Sequence, residues 1–429
     1  MRVKKIVKSI RKQFYEGGTR QIFKILCKLI IKIGLLLFVP PAFVMLVLIR
    51  LIRPFYLIRF QIVISERIGH FAGNIELYLC EKNVGINIPS KPYLDLWYLN
   101  YPICNYQLAK MWKNKINILP SIILEPISKL NDIFPGGEIH KIGLNSSHDR
   151  DIHNLLDRFP ASLNFTENEL YRGQKDLIKL GIPEGKPFIC LIVRDSSYLK
   201  NQLPWWNWSY HDYRNCDIKN YLMVADELTK LGYYVIRMGA SVNKKMETTN
   251  PMVIDYAGDG LRSDFMDIYL GAHCEFCISN GTGFDAVPYI FRRPIIYIDH
   301  VPLRIINTFS SKFMATTKVH WLKSENRQMS LEEILASDVG WYTQSKDFEA
   351  AGVELRESSP SEITQAVLEM EGRLAGTWHS SEEDEKLQAY FWSIFPKNHW
   401  HGEIRSRVAT QILQSRLSSS LKKSNFISL

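Results

Sequence analysis

The residues best suited to chemistry in this sequence stand in a few short clusters. Ser279-Asn280-Gly281-Thr282-Gly283-Phe284-Asp285 combines glycines, which let a backbone turn tightly and approach a ligand, with side chains that hydrogen-bond phosphate or ribose. An apolar helical pattern, Ala286 to Phe291, follows and would turn free N–H groups and the positive end of its dipole toward a diphosphate. Asp285 either accepts from a sugar or ribose hydroxyl or caps that helix. Arg194-Asp195-Ser196-Ser197 closes another apolar run; an arginine there pairs with phosphate oxygens in bidentate fashion, or pairs with Asp195 to hold its loop closed. In Tyr210-His211-Asp212-Tyr213-Arg214-Asn215-Cys216-Asp217, capping of the next helix explains Asp217 but not Arg214 or Asn215. Arg237-Met238-Gly239 ends a buried strand pattern, where an unpaired charge is costly; Arg237 and the Gly239 turn, like Asp195, are assigned to the donor site, with a carboxylate partner for Arg237 as the alternative.

Acid–base chemistry falls to His70, in Glu66-Arg67-Ile68-Gly69-His70-Phe71-Ala72-Gly73. A neutral imidazole there can take the proton of a hydroxyl that attacks an anomeric carbon; a helix-capping histidine is the structural alternative, and Glu66 and His211 are the substitutes. No Asp-x-Asp stands at a strand end to hold a divalent ion, since Asp149-Arg150-Asp151 falls in a loop and helix start. Charge on a leaving diphosphate would then be met by arginines and backbone N–H groups. Cys274-x-x-Cys277 lacks a second ligand pair at zinc spacing, so no metal or cofactor is expected.

The elements that position these groups alternate. Phe60 to Ile64 reads as a strand leading into the His70 turn, with weaker strands at Tyr93 to Leu99 and Ile116 to Leu119 and a helix at Tyr106 to Trp112. After helical linker material and Pro183-Glu184-Gly185-Lys186-Pro187, a second series begins. It runs as strand Phe188 to Val193, helix Ile218 to Leu231 stopped by Gly232, strand Tyr233 to Met238, helix Asp264 to Ala272, and strands Phe276 to Ile278 and Ile295 to Ile298. Such alternation predicts a mostly parallel sheet covered on both faces, with ligands at the carboxyl ends of its strands. Beyond Ser330 the chain turns helical and acidic, at Ser361 to Leu374 and Glu382 to Phe391.

With 429 residues, 46% of them apolar, the chain is long enough for two domains and an extra segment. Its net charge of +9 is unevenly placed: residues 1–60 hold 13 Lys/Arg and one acid, Glu16, whereas the other 40 basic residues face 43 acidic ones. That distribution excludes a nucleic-acid-binding body and isolates a basic arm. Residues 1–14 have the spacing of a basic amphipathic helix, and Leu29 to Ile49 is almost wholly apolar but divided by Pro40-Pro41. Lys24, Lys28 and Lys32 before it and Arg50, Arg53 and Arg59 after it place positive charge on both flanks. A re-entrant or monotopic arm fits this symmetry; a single span and an apolar helix packed on the body are the alternatives. Seven scattered cysteines point to a reducing compartment.

Phe188 to Ser196, Tyr213 to Asp217, Tyr234 to Gly239, Ser263-Asp264-Phe265-Met266-Asp267-Ile268-Tyr269 and Phe291-Arg292-Arg293-Pro294 together resemble a family of bacterial glycosyltransferases of surface-polysaccharide biosynthesis, over residues 60 to 410 and most densely from 188 to 303. The sequence is similar, more loosely, to GT-B enzymes. That resemblance implies an α/β fold of two Rossmann-like domains facing across a cleft; the basic apolar membrane arm that precedes them falls outside the matching body, and its topology is not decided by the resemblance. The segments would be 1–59 as arm, 60–183 as acceptor domain, 184–330 as nucleotide-sugar domain and 331–429 as helical extension. The resemblance also implies transfer from a nucleotide-sugar donor, without an obligatory metal, to a glycan; the arm, its flanking charges and the cysteines suggest that the glycan is lipid-linked and that the site is the cytoplasmic face of the plasma membrane. A sugar-nucleotide epimerase, a polyol-phosphate transferase, a non-enzymatic assembly protein and a Golgi-type transferase are the competing readings. Oligomeric state is not legible in the sequence.

Overall fold

A computed structural model describes residues 38–143, 150–197 and 207–417. The expected amphipathic stretch 1–14, the first part of the apolar run, Cys27 and Asp149 lie outside the described residues. The chain divides into two compact units that interleave in sequence. The smaller takes the chain up to Ile64 with Ile88–Pro102 and Ile116–Gly143; the larger takes Ser65–Asn87, Ile103–Lys115 and the chain from Leu144 on. The helices Ile68–Asn83 and Tyr106–Lys113, which the sequence reading places in a 60–183 half, therefore group with the residues beyond 144.

In the smaller unit β1 (Leu57–Val63), β2 (Tyr93–Leu99) and β3 (Asn117–Ile118) form a parallel sheet in the order β1-β2-β3. Its register aligns Arg59 with Asp95, and the two meet in a buried bidentate pair with both N–O distances at 2.7 Å. A slip of the strands would leave two buried charges apart, so the pair disfavours other registers. Pro40 and Pro41 do not interrupt a helix here; they open one, Val39–Ile52, because the first helical N–H groups have no partner to lose. Ala42, Leu46 and Ile49 of that helix pack with Phe60, Tyr98, Leu124 and Ile127, the last two from helix Ser121–Ile133. Among the described residues no helix is long and apolar enough to cross a membrane.

The larger unit is built on seven strands: β4 (Phe188–Ile192), β5 (Tyr234–Arg237), β6 (Val253–Ile254), β7 (Cys277–Ser279), β8 (Ile295–Tyr297) and β9 (Phe313–Ala315), joined far along the chain by an edge strand. Between them in sequence β10 (Val319–Leu322), β11 (Arg327–Gln328) and β12 (Val353–Arg356) form a small antiparallel sheet; β13 (Arg407–Val408) is the late edge strand. The region beyond residue 331 is thus not wholly helical. The large sheet runs β13-β9-β8-β7-β4-β5-β6, parallel throughout. Residues of β4, β7 and β8 are buried without exception, which is why these strands read as continuous apolar runs rather than alternating ones.

This order has a consequence for ligands. The first strand in sequence, β4, is central; β5 and β6 are added on one side, and β7, β8 and β9 on the other. The direction of winding reverses between β4 and β7, and a crevice opens at the carboxyl ends of strands where winding reverses. Arg194 follows β4 and the loop 280–282 follows β7.

The helix Ile68–Asn83 is fastened into the same unit. It packs on the helix Ala286–Ile290, its Glu76 is fully buried against Arg292 at 2.6 Å, and the Phe71 carbonyl accepts from Trp112 Nε1 at 3.0 Å. Arg292 also donates to the carbonyls of Phe159 and Pro160. In this arrangement Arg292 braces the body.

Candidate functional site

The loop after β7 is held by its own polar groups. Asp285 accepts from the hydroxyl of Ser279 and, at 3.1 Å, from that of Thr282, while the Ser279 hydroxyl accepts from the Gly281 N–H at 3.0 Å. Burial pushes the Asp285 carboxyl up to about 6. Its side chain makes no cap on the helix that follows. Asn280 is 3% exposed and ties three strand ends together: its Oδ1 accepts from the Arg194 N–H at 3.3 Å, and its Nδ2 donates to the Ile298 carbonyl at 2.8 Å and to the Tyr221 hydroxyl at 2.6 Å. Ser279, Asn280 and Asp285 accordingly shape the loop.

Two glycine positions explain why this loop needs the residue. Gly281 has φ +73°, and a Cβ there would lie 2.9 Å from His300 Nδ1. A Cβ on Gly69 would lie 3.1 Å from the Gly283 Cα and 3.2 Å from its carbonyl oxygen, so the two backbones meet directly. That contact sets the first turn of helix Ile68–Asn83, with His70 next in the chain, against the Ser279–Asp285 loop. Arg67 stands at the N-cap of this helix, whose first N–H groups have no intrahelical acceptor.

Cations gather around this edge. Arg214 ends the 3-10 turn Ser209–Arg214 and donates to the Gly281 carbonyl. Its backbone follows β4 closely, since the Cys216 N–H donates to the Arg194 carbonyl at 3.0 Å. Burial, then the neighbouring Arg214 guanidinium, pushes Arg194 down to about 10, and its Nε has no acceptor among the described residues. His211, its ring centroid 3.9 Å from that of Tyr210, is held down to about 4 by burial and by Arg194, Arg214 and Arg67. His300, beyond the end of β8, is held down to about 3 by burial and by Arg214 and Arg150. Neutral imidazoles beside crowded guanidiniums mark a site whose positive charge is under-compensated by protein carboxylates.

The other sequence-predicted residues divide by partner. Arg237, expected at the donor, is instead 2% exposed and meets the carboxylate of Asp255 at 3.2 Å, with the Lys244 carbonyl at 2.5 Å, because a buried guanidinium is stabilised by a protein counter-charge. Asp195 accepts from the N–H groups of Ser197 at 2.8 Å and Asn243 at 2.7 Å, so it fixes the loop after β5 rather than pairing with Arg194. Gly239, at φ +153°, turns that loop past Val242 and Ala257. Asn215 donates to Asp212 at 2.8 Å, and its carbonyl accepts from Lys318. Asp217 caps the 3-10 turn Ile218–Tyr221. Glu66 is half-buried on the segment leading into helix Ile68–Asn83, and its Oε2 has no hydrogen-bond partner among the described residues; His70, expected on a turn, is half-buried within the first turn of that helix, because the helix starts at Ile68.

Sequence reasoning passed over Arg67 and His300. His300 carried a usable signal, since it stands just past the strand pattern Ile295 to Ile298, at a carboxyl edge adjoining the loop. Cys216, Asp299 and Glu357 offer ligand atoms within 4.8 Å of one another, but Asp299 accepts from the Ser358 N–H and hydroxyl, and Glu357 from the Asp217 N–H and Asn220. Lys318 already supplies positive charge beside Cys216 and Asp299.

No protein-family model matches the sequence, and no curated protein matches it. Among solved structures the chain is similar to a glycosyl transferase of family 9 from Veillonella parvula, at 12% identity and TM-score 0.34, over 56% of this chain and 79% of that one. It is also similar to ADP-heptose LPS heptosyltransferase II of E. coli, at 14% identity and TM-score 0.35, over 69% of this chain and 98% of that one. A third is a UDP-N-acetylglucosamine 2-epimerase from Listeria monocytogenes, at 8% identity and TM-score 0.28, over 82% and 99% of the two chains. None of these assigns an activity to this chain, which has to be argued from its own site.

Proposed function

We propose that the protein is a glycosyltransferase that moves a sugar from a nucleoside diphosphate donor to a membrane-linked glycan in surface-polysaccharide biosynthesis, at the cytoplasmic face of the plasma membrane. The observation that carries this reading is the crowding of Arg194 and Arg214 at the point where the winding of the sheet reverses, without an ion pair between either and a described carboxylate. A diphosphate is the ligand that such a pair accommodates: its tetrahedral phosphoryl groups offer several charged oxygens to the planar guanidinium forks, at a sheet edge that also offers a glycine loop.

In the proposed reaction the acceptor hydroxyl oxygen forms a bond to the anomeric carbon while the bond from that carbon to the diphosphate oxygen breaks. The leaving diphosphate keeps the electron pair, and Arg194, Arg214 and the N–H groups of the glycine loop meet its charge. The acceptor proton passes to His70, the titratable side chain nearest in sequence to the Gly69–Gly283 contact, with Glu66 as the substitute base. The groups at this edge are cationic, and Asp285 is engaged by two hydroxyls, so the donor set favours metal-independent transfer. The cytoplasmic assignment rests on the sequence, whose seven scattered cysteines suit a reducing compartment.

Thermal melts against UDP-, GDP-, CMP-, ADP- and dTDP-sugars test the reading, because a ligand of the folded state raises its apparent stability. One nucleotide class should raise the melting temperature, and His70→Ala should keep that rise while losing transfer to acceptor. No rise with any of them would refute the donor site, and full turnover by His70→Ala would remove that residue from the chemistry.

A further inference from the structure

The helix Val39–Ile52 is apolar nearly all round, yet protein covers only one stripe of it. Ala42, Leu46 and Ile49 face the sheet, whereas Phe43, Val44, Leu48 and Leu51 face outward, the last two 49% and 66% exposed. Phe55, just past the helix, is 82% exposed. The face continues onto the neighbouring helix, where Phe43 and Phe134 meet at 5.8 Å between ring centroids and Ile133 is 74% exposed. A soluble monomer rarely leaves so contiguous an apolar face in water.

Charge identifies the occupant. Arg50 is fixed at the edge of the face, donating to the Pro135 carbonyl and to Asn131 at 3.0 Å, and Arg53 is exposed beside it. Between Glu16 and Glu66 the sequence carries no acidic residue, and residues 1–37, which lead directly into this helix, hold ten Lys/Arg. A second copy seated face to face would bring these cations together, since a two-fold interface opposes each patch to itself. An anionic lipid surface attracts them instead.

We propose that this face docks on an anionic bilayer, with helix Val39–Ile52 lying in the interface plane. Its 14 residues extend about 21 Å, short of the roughly 30 Å hydrocarbon core, and its inner stripe packs on the sheet, which suits a helix lying along the surface. Outward apolar side chains enter the acyl boundary while Arg50 and Arg53 stay at headgroup level.

The test is co-sedimentation of the full chain, and of Leu48→Asp/Leu51→Asp, with phosphatidylcholine vesicles with and without phosphatidylglycerol. Both positions are exposed, so the double variant should melt at the wild-type temperature and keep its response to the nucleotide-sugar; docking and the donor site are thereby judged separately. Wild type should pellet with the anionic vesicles, and the variant's partition should fall roughly tenfold or more. Equal binding by the two would move the docking to other residues and overturn the proposal. So would a wild type that ignores anionic vesicles, or one that is a dimer in size-exclusion chromatography and becomes a monomer in the variant without lipid binding.

Discussion

The carboxyl ends of two adjacent strands carry arginines with opposite fates. Arg237 closes β5 inside the unit, where Asp255 answers its charge at 3.2 Å and the Lys244 carbonyl takes a second bond. Arg194, beyond β4, has another guanidinium for a neighbour and lies on the side where the winding reverses. Both sites store positive charge in poorly solvated surroundings. One is neutralised by the protein and holds a loop in place; the other has no ion pair with a described carboxylate, which is why the proposed donor is assigned to it. A buried charge is informative about function only once its counter-charge has been sought.

Three substitutions sharpen that contrast. Arg237→Met should have the largest effect, a loss of about 3–5 kcal/mol in stability by denaturant unfolding, because it leaves Asp255 buried and unpaired. A change confined to nucleotide response would place Arg237 in the binding site instead. Asp285→Asn comes next. The folded-state pKa of Asp285, about 6, lies above its ordinary value, so its contribution is fully present when the group is protonated and is lost as pH rises through 6. Relative to the variant, wild type should lose about 2–2.5 kcal/mol between pH 4 and 7. A stability difference that does not vary with pH would mean that the carboxylate is ionised throughout. Arg194→Ala should be the mildest for the free protein: unchanged or slightly raised melting temperature, with donor affinity weakened by about 1.5–3 kcal/mol in titration calorimetry. A clear loss of ligand-free stability would make Arg194 structural, like Arg237, and dissolve the comparison.

What the sequence disclosed follows the physics of each element. Phe188–Ile192 and Ile295–Tyr297 announce themselves because a strand buried on both faces must be apolar along its length. β6, β9 and β13 have two or three residues each, too few to display a period, and their places are set by tertiary pairing. Strand order, and with it the reversal between β4 and β7, is a tertiary property that no local pattern encodes. The glycine loop was legible as a ligand-sized turn. The division of labour within it was not, since Asn280 and Asp285 look alike whether they bind a ligand or brace strand ends. Arg237 and Arg194 were equivalent for the same reason: Asp255 is 18 residues from Arg237 and beyond another strand. The helix Val39–Ile52 shows the converse, because prolines that divide an apolar run on paper begin a helix in three dimensions.

Asn280 bears on how the proposed donor would be captured. Two of its bonds clamp the ends of β4 and β8 to its own strand, and a third reaches the Tyr221 hydroxyl. The proposed donor would meet a surface already braced, so little of the interaction energy would be lost to ordering the protein. Capture would then be set by encounter, which the surrounding arginines would accelerate by steering an anion inward and which added salt would slow.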